Sequence, residues 1–305
     1  VTGALVLVVA DDPGMHSSQN EQDTRRHAIA SGTPVLEPSD SQEAYDFLFL
    51  SMELSHRWGT PVILRMTTRV SHSQSIVEIR PKPLDMGAPF FKHDRRARVM
   101  VPGHARPAHR RMRKRLADMQ AWNETSGPNR ILDGGPELGI ITSGVAAVHV
   151  REAAPAARIL KLGMPYPPPL RQIREFAGGV KRCLVIEEGD PVLSELCRIA
   201  GVAVESQPEM YRFGELDVNR VKRILAGDTS PEAAPPPGKP PQLCQGCPHR
   251  AAFEILKTHD CIVSGDIGCY TLGVMPPYEA LDSCVCMGAA IGVGLGLRHV
   301  LPEAE

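Results

Sequence analysis

The sequence predicts an α/β protein built on parallel sheets, and three observations support this fold class. Residues 4–10 are apolar and rich in β-branched side chains, which is typical of a strand buried on both faces. Helical and strand-like patterns then alternate between residues 21 and 66. A second alternation of the same kind runs from about residue 139 to residue 206. Because strand–helix–strand units cross over right-handedly, both regions predict helices on the faces of a parallel sheet.

The order of the elements follows from local signals. Ser39 and Asp40 can cap the helix that begins at Ser41, and Glu43 lies in its first turn. The first alternation predicts helices at 21–30 and 41–58 and strands at 33–36 and 61–66. The second predicts strands at 138–142, 158–162, 183–187 and 202–205, with helices at 145–153, 170–177 and 192–200.

Length and composition narrow the class of protein. A chain of 305 residues exceeds one compact core, so we expect two or three domains. The net charge of −1 argues against a nucleic-acid-binding protein. There is no apolar run of membrane-spanning length and no basic leader of a signal peptide. Eight cysteines in such a chain predict reduced thiols in the cytoplasm rather than a disulfide scaffold.

Two segments of biased composition separate the predicted units. Residues 92–115 are strongly basic and contain few aromatic residues, so the pattern favours a solvated helix with acidic neighbours over a nucleic-acid surface. The run EAAPPPGKPPQ, within residues 229–242, predicts a semi-rigid extended linker.

Polar residues follow the first strand, at the edge where open α/β sheets bind ligands. A helix N-terminus is the alternative, with Ser17 or Ser18 as its cap and acidic residues facing the helix dipole. Capping accounts for only two or three of the residues, so we favour an active-site mouth. The set comprises His16, Ser17, Ser18, Gln19, Asn20, Glu21 and Asp23, of which His16, Ser18, Gln19 and Glu21 are the candidate catalytic residues.

Charged residues end two other strands. Arg65, Arg69 and His72 flank the strand at 61–66 and can meet a carboxylate or a coenzyme A phosphate. A structural ion pair with Asp11, Asp12 or Glu78 is the favoured alternative for these cations. Glu187 and Glu188 end the strand at 183–187, and we expect them to be exposed or to face a partner subunit.

The end of the chain combines cysteines with glycines. The CxxC motif at Cys244 and Cys247 binds a metal or forms a redox pair. Glycine has no Cβ, so the turn after the apolar run at 261–263 lets the backbone approach a phosphate or a cofactor closely. The candidate cofactor-binding residues are Asp266, Ile267, Gly268, Cys269, Cys286, Met287 and Gly288.

These motifs together resemble one family. LCQGCPHR, SGDIGCYTLG and DSCVCMGAAIGVGLG are similar to the thiamine-diphosphate half of the indolepyruvate:ferredoxin oxidoreductase alpha-subunit family. ADDPGMHSSQNEQD and LRMTTRVSH resemble the pyrimidine-domain signatures of the same family. One departure is visible, because the family usually reads CPGC where this chain has Cys244-Gln245-Gly246-Cys247. The two sulfurs stay in place, but the stiffness that proline gives to the loop is lost.

The resemblance implies a parallel-sheet thiamine-diphosphate-binding fold in several parts. The implied parts are residues 1–80 as the C-terminal part of a pyrimidine-binding domain, 81–130 as a basic connecting segment, 131–228 as a transketolase C-terminal-like α/β domain, 229–242 as a Pro-rich linker, and 243–305 as the N-terminal part of a thiamine-diphosphate-binding domain.

The resemblance also implies an activity. The family oxidatively decarboxylates an arylpyruvate with coenzyme A, giving an aryl-acetyl-CoA, CO2 and reduced ferredoxin, and works with a smaller beta subunit. Its cofactors are thiamine diphosphate, Mg²⁺ and [4Fe–4S] clusters. Two alternatives stay open: another 2-oxoacid:ferredoxin oxidoreductase, and a non-catalytic cysteine-rich scaffold or electron-transfer module.

Cys244, Cys247 and Cys269 are the candidate metal ligands. By resemblance they hold a [4Fe–4S] cluster, with a fourth cysteine at 284, at 286 or beyond the chain, and their sulfurs should converge on one point. Zinc is a second possibility, but Cys284-Val285-Cys286 has the wrong spacing for a second zinc half-site. Unliganded thiols are favoured over zinc as the alternative to a cluster, because the indolepyruvate branch keeps its recognised clusters in a C-terminal ferredoxin-like domain.

The resemblance predicts that parts of the site lie elsewhere. The family's catalytic glutamate would precede Val1, and its diphosphate–Mg²⁺ anchor would follow the glycine-rich helix at 286–300. We therefore expect the chain to be part of a longer protein, to be inactive by itself and to have incomplete outer sheets. The 16–21 loop and the 266–270 turn should face one cleft.

Overall fold

Parallel sheets organise the chain, as the sequence predicts. The computed structural model describes residues 3–16, 18–80, 88, 91, 93–125, 127–233 and 241–303. The chain divides into two units, Val1–Ser230 and Pro231–Glu305. The first three predicted segments therefore share one unit, and the boundary lies within the predicted linker, of which residues 234–240 are outside the described part.

The first sheet has three parallel strands in the order β1-β3-β2. Asp40 caps α2 as predicted, accepting a hydrogen bond of 2.8 Å from the Glu43 amide. Asp23, rather than Ser18, caps α1 and accepts from the Arg25 amide, so this helix begins later than predicted. Ser17 lies outside the described residues. The elements are β1 (Val6–Asp11), α1 (Thr24–Ser31), β2 (Val35–Leu36), α2 (Ser41–Trp58) and β3 (Val62–Thr67).

Three helices follow the first sheet: α3 (Thr68–His72), α4 (Arg95–Arg98) and α5 (Pro102–Asn123). Most of α5 is exposed, and only Met119 and Asn123 are buried. The predicted solvated helix is confirmed. Two described aspartates adjoin the basic residues: Asp94 caps α4 by accepting from the Ala97 amide, and Asp118 pairs with Lys114 at 2.7 Å.

The second sheet has five strands in the order β4-β6-β5-β7-β8. They are parallel except that β4 runs antiparallel to β6. Apolar side chains on both faces of the central strands form the largest cores of the chain. The elements are β4 (Arg130–Leu132), β5 (Gly135–Ser143), α6 (Ala146–Ala153), β6 (Ala157–Leu162), α7 (Leu170–Gly178), β7 (Arg182–Ile186), α8 (Val192–Ile199), β8 (Glu205–Ser206) and α9 (Val218–Ala226).

Backbone hydrogen bonds join the two sheets of the first unit. The Val35 amide donates to the Tyr166 carbonyl at 2.8 Å, and the Glu37 amide donates to the Gly163 carbonyl at 2.9 Å. The loops after β1 and β3 therefore lie in the same unit as the loops of the second sheet.

The second unit is small. Its two short strands, β9 and β10, pair in parallel, and among its described residues four buried ones form the core: Leu243, Phe253, Tyr278 and Ala280. Its elements are α10 (Pro248–Leu256), β9 (Ser264–Gly265), a 3₁₀ turn (Cys269–Val274), β10 (Ser283–Cys284) and α11 (Ala289–Val300). Among the helices that the structure describes, none combines the length and apolar character needed to cross a bilayer.

Candidate functional site

A cavity of about 520 Å³ opens at the carboxyl ends of β1 and β3. This is the edge at which ligands bind in open parallel sheets, because the loops that follow neighbouring strands leave a crevice there. His16 and Ser18 line it, and their predicted catalytic roles stay predictions. Gln19 is exposed in the same loop and does not line it. The lining residues are Ala10, Asp11, Asp12, His16, Ser18, Thr68, Arg69, Ser71, His72 and Glu215.

Asp12 fixes the loop that follows β1. Its carboxylate accepts a hydrogen bond of 2.7 Å from the Thr68 hydroxyl and one of 3.0 Å from the Ser18 amide. Thr68 begins α3, so Asp12 ties the loop after β1 to the helix after β3. The Thr68 hydroxyl and the Ser18 backbone are therefore held by an acidic side chain that the sequence did not single out for this role.

Glu21 joins two loops that are far apart in the sequence. Its Oε1 accepts from the Gly14 amide at 2.8 Å and from the Gly214 amide at 3.1 Å. Gly14 has a left-handed φ of 84°, and a Cβ there would lie 3.3 Å from the Glu215 amide nitrogen, so the close approach of the two loops favours glycine. We name the resulting contact between the 12–18 and 213–217 loops the loop clasp. In this structure Glu21 positions the cavity wall, and its predicted catalytic role stays a prediction.

Glu215 is the acidic wall of the cavity. Its Oε2 accepts a hydrogen bond from Arg69 and lies 3.3 Å from the His16 imidazole Nε2. Arg69 therefore has an ion-pair partner, but this partner is Glu215 rather than the expected Asp11, Asp12 or Glu78. Sequence reasoning missed Glu215 because it lies nearly 200 residues after His16, in a loop without a motif. Only the tertiary contact between the two sheets brings it to the site.

Buried arginines support the floor of the cavity. Arg65 is fully buried, and its Nε donates to Asp11 at 2.5 Å while Nη1 donates to Glu37. The ion-pair alternative for Arg65 is thus confirmed with Asp11. Arg25 is also buried and donates to Glu187 at 3.0 Å and to the Glu188 carbonyl at 3.0 Å. Because a buried charge is costly unless it is paired, these ion pairs hold the strand ends beneath the cavity. Among the described residues, Arg65 Nη2 has no hydrogen-bond partner and lies 3.7 Å from Asp23 Oδ1.

Glu187 and Glu188 are buried, so the expectation of an exposed or partner-facing pair is wrong. Glu187 accepts from the amides of Leu193 and Ser194 and so holds the start of α8. Glu188 Oε1 accepts from the Leu216 amide at 3.1 Å, which anchors the loop that carries Glu215. Burial raises the pKa of Glu188 to about 7, with a further contribution from Glu215, and hydrogen bonding and Arg65 oppose this shift.

The predicted cofactor-binding residues of the second unit meet at one sheet edge. Asp266–Cys269 follow β9, and Cys286–Gly288 follow β10, its parallel neighbour. Asp266 Oδ1 accepts from the Ala290 amide at 2.6 Å and so caps α11. Thr271 closes the 3₁₀ turn, because its hydroxyl accepts from the Gly268 amide and donates to the Asp266 carbonyl. Met287 is 79% exposed at this edge.

The CxxC motif forms a turn before α10. The Cys247 amide donates to the Cys244 carbonyl at 3.1 Å, and the Cys247 sulfur lies 3.3 Å from His249 Nδ1. The His249 ring packs near the Tyr270 ring, with a centroid separation of 5.6 Å. Cys244 and Cys269 are exposed.

The expected convergence of three sulfurs is not found. Among the described residues, which include all of 241–303, no three His, Cys, Asp or Glu side chains form a group that could hold a metal ion. The Cys247 thiol instead contacts His249, and Cys269 begins a turn that Thr271 closes on itself. In this arrangement the three cysteines therefore do not form a shared site for a cluster or for zinc.

A solved structure shares the fold. The chain superposes with a TM-score of 0.55 and 15% identity on the 2-oxoglutarate:ferredoxin oxidoreductase from Magnetococcus marinus, over 72% of this chain and 48% of that one. The predicted α/β fold of thiamine-diphosphate enzymes is thereby confirmed. No protein-family model matches the chain.

Curated relatives match nearly the whole sequence. The chain is 38% identical to indolepyruvate oxidoreductase subunit IorA of Methanothermobacter thermautotrophicus over 326 residues, covering 97% of this chain and 53% of that protein. It is 35% identical to IorA of Archaeoglobus fulgidus over 328 residues, covering 98% and 52%. IorA of Pyrococcus abyssi is 36% identical over 340 residues, covering 99% and 52%. The chain spans about half the length of the curated relatives it matches. Along nearly its whole length the chain is therefore similar to part of indolepyruvate oxidoreductase subunit IorA.

Proposed function

We propose that this chain is part of an oxidoreductase that oxidatively decarboxylates an arylpyruvate, with coenzyme A as acyl acceptor and ferredoxin as electron acceptor. The observation that carries the proposal is the 35–38% identity to IorA proteins along nearly the whole chain. The fold shared with a 2-oxoacid:ferredoxin oxidoreductase supports it. A beta subunit, corresponding to the second subunit that the name IorA implies, is the proposed partner, and we propose a cytoplasmic location.

The cavity of the first unit suits the substrate end of this reaction. Arg69 is 60% exposed along its side chain and offers a guanidinium to a carboxylate. His16 lies beside it and can hold or release a proton at Nε2. Ser18, Thr68 and Ser71 add hydroxyl groups. We propose that Arg69 orients the substrate carboxylate while Glu215 holds Arg69 and His16 in place.

The glycine-rich edge of the second unit suits thiamine diphosphate in part. Gly288 has a left-handed φ of 87°, and a Cβ there would meet no atom within 4 Å, so backbone is accessible at the start of α11. A helix N-terminus of this kind favours an anionic group. When bound, thiamine diphosphate supplies the nucleophilic carbon and the electron sink of the decarboxylation. We propose that the Asp266–Cys269 and Cys286–Gly288 segments contact it.

The test is an anaerobic assay of the complete subunit assembled with its beta subunit. Indolepyruvate, coenzyme A and thiamine diphosphate are supplied, and reduction of methyl viologen is followed by absorbance. We expect viologen reduction that depends on both coenzyme A and the 2-oxoacid, with aryl-acetyl-CoA as product. The same assay with phenylpyruvate, pyruvate and 2-oxoglutarate shows which 2-oxoacid side chain the enzyme accepts. Turnover of 2-oxoglutarate in preference to indolepyruvate would contradict the arylpyruvate assignment.

A further inference from the structure

The surface formed by α4 and α5 concentrates positive charge. Residues 93–123 contain nine Lys and Arg and two Asp, a net charge of +7, in a chain whose net charge is −1. The charge is therefore not a property of the whole molecule but of this one segment. The cationic residues are Arg95, Arg96, Arg98, Arg106, Arg110, Arg111, Arg113, Lys114 and Arg115.

The helix α5 has two buried residues near its C-terminal end and an exposed face that carries arginines. Met119 and Asn123 are buried, and Asn123 donates to the carbonyls of Met164 and Pro167. Arg106, Arg110 and Arg113 follow the three- and four-residue spacing of one exposed helix face. With a rise of 1.5 Å per residue, the cations from 106 to 114 fall within about 12 Å along the helix axis.

This surface has almost no internal neutralisation. Within the described part of the chain, Lys114–Asp118 is the only ion pair formed by a cation of α5. Arg115 differs from the other cations of α5, because its side chain is partly buried and donates a hydrogen bond to the Trp58 carbonyl. Like charges at this spacing repel each other, and a complementary negative surface relieves the repulsion when it binds.

The side chains favour a carboxylate-rich partner over a nucleic acid. Eight of the nine cations are arginines, whose planar guanidinium binds carboxylates through two parallel hydrogen bonds. The aromatic side chains on which single-stranded bases stack are missing from the exposed face between 102 and 115, where the sequence has no Phe, Tyr or Trp.

We infer that the α4–α5 surface docks an acidic protein, and that in the assembled enzyme this protein is the ferredoxin that accepts electrons. The inference rests on the proposed function for the identity of the partner. Binding through such a surface depends on ionic strength, because exposed charges are screened within about 10 Å at 0.1 M salt.

The test compares two acceptors in the assembled enzyme. The double variant Arg110→Glu/Arg113→Glu reverses two exposed cations of the surface. The control double variant Arg151→Glu/Lys222→Glu reverses two exposed cations of α6 and α9, with the same change in net charge. Activity is measured with methyl viologen, a small acceptor, and with a purified acidic ferredoxin at 20 to 300 mM salt. Circular dichroism checks folding.

We expect the α5 variant to raise the KM for ferredoxin about tenfold or more at low salt, while its viologen activity stays that of the unchanged enzyme. The control variant should keep the low ferredoxin KM and its steep salt dependence. An unchanged ferredoxin KM in the α5 variant would overturn the inference. A second result would also overturn the inference: the unchanged enzyme binds duplex or single-stranded DNA at 150 mM salt, and the α5 variant loses this DNA binding but no ferredoxin binding. Absence of viologen activity in the unchanged enzyme would instead contradict the proposed function.

Discussion

Glu188 links the protonation of one residue to the stability of the cavity loop. Its carboxyl is buried and anchors the Leu216 amide, and burial raises its pKa from 4.5 to about 7. Between these two values the folded state binds more protons than the unfolded state. The stabilisation is therefore fully present below about pH 4.5 and is lost as the pH rises through about 7.

We predict that Glu188→Gln flattens this dependence. Glutamine keeps an oxygen for the Leu216 amide but does not ionise. The free energy of unfolding of the variant, relative to that of the unchanged protein, should therefore increase by up to about 3 kcal/mol between pH 5 and pH 8. Urea unfolding at four pH values in that range measures the difference. Glu175→Gln, on an exposed glutamate, is the control. Parallel stability curves for the unchanged protein and Glu188→Gln would contradict the prediction.

Glu21 provides a test of the loop clasp. Glu21→Ala removes the acceptor of the Gly14 and Gly214 amides, whereas Glu21→Gln keeps an oxygen at the same position. We expect the alanine variant to accelerate hydrogen exchange in residues 212–217 about tenfold or more, because a hydrogen bond to a charged group contributes about 1.5–3 kcal/mol.

Hydrogen exchange with mass spectrometry measures the clasp directly. The glutamine variant should show a much smaller change, and Glu53→Ala, on the exposed face of α2, should show none. Equal exchange in the unchanged protein and Glu21→Ala would mean that other contacts hold the loop.

At the residue scale, the sequence pattern predicted the loop that contains His16, Ser18 and Glu21. It did not predict their partners Glu215 and Gly214, which depend on tertiary contacts without a sequence signal.

At the scale of elements, strand and helix positions were predictable where local signals are strong. The strand after Pro61 and the helix from Ser41 to Trp58 agree with the structure, since Asp40 caps the helix and apolar periodicity continues through it. The start of α1 was misplaced because several polar residues compete as caps, and only the hydrogen bond from Arg25 to Asp23 decides between them. The buried positions of Glu187 and Glu188 were missed because their partners, Arg25 and Leu216, are distant in the sequence.

Asp266 joins two elements of the second unit, and its removal should loosen α11. Its Oδ1 accepts from the Ala290 amide at 2.6 Å, so Asp266→Ala leaves an amide of the first helical turn without its acceptor. We expect a loss of about 1 kcal/mol in the local stability of α11, and retention of most of it in Asp266→Asn, which caps helices as well as aspartate. Amide exchange in residues 289–293 reports the change, with Asp260→Ala as an exposed control. Faster exchange in Asp266→Asn than in Asp266→Ala would contradict this role.

At the scale of the molecule, the sequence predicts the sheets but not how they are grouped into units. The sequence predicted the parallel sheets because each buried strand carries its own apolar signal. It did not predict that the first two sheets share one unit, because the bonds from Val35 to Tyr166 and from Glu37 to Gly163 are backbone contacts that leave no side-chain pattern. The arrangement of the cysteines was not predictable either, since spacing places Cys244 and Cys247 in one turn but does not direct Cys269 toward them.

The two units differ in how much apolar surface they bury, and this difference predicts how the chain unfolds. The unit Val1–Ser230 contains several apolar clusters, whereas the core of Pro231–Glu305 consists of four buried residues, and α11 exposes Ile291 at 83% and Val300 at 77%. A core of four buried residues stabilises a unit of this length too little for a cooperative fold by itself. We therefore expect a chain that ends at Ser230 to unfold in one cooperative calorimetric transition near that of the whole chain. A chain of residues 231–305 should show no such transition and should bind the dye ANS through its exposed apolar residues. A sharp transition in the isolated second unit would contradict the prediction by showing that this unit folds by itself. Loss of cooperativity in the isolated first unit would contradict it by showing that the first unit depends on the second for stability.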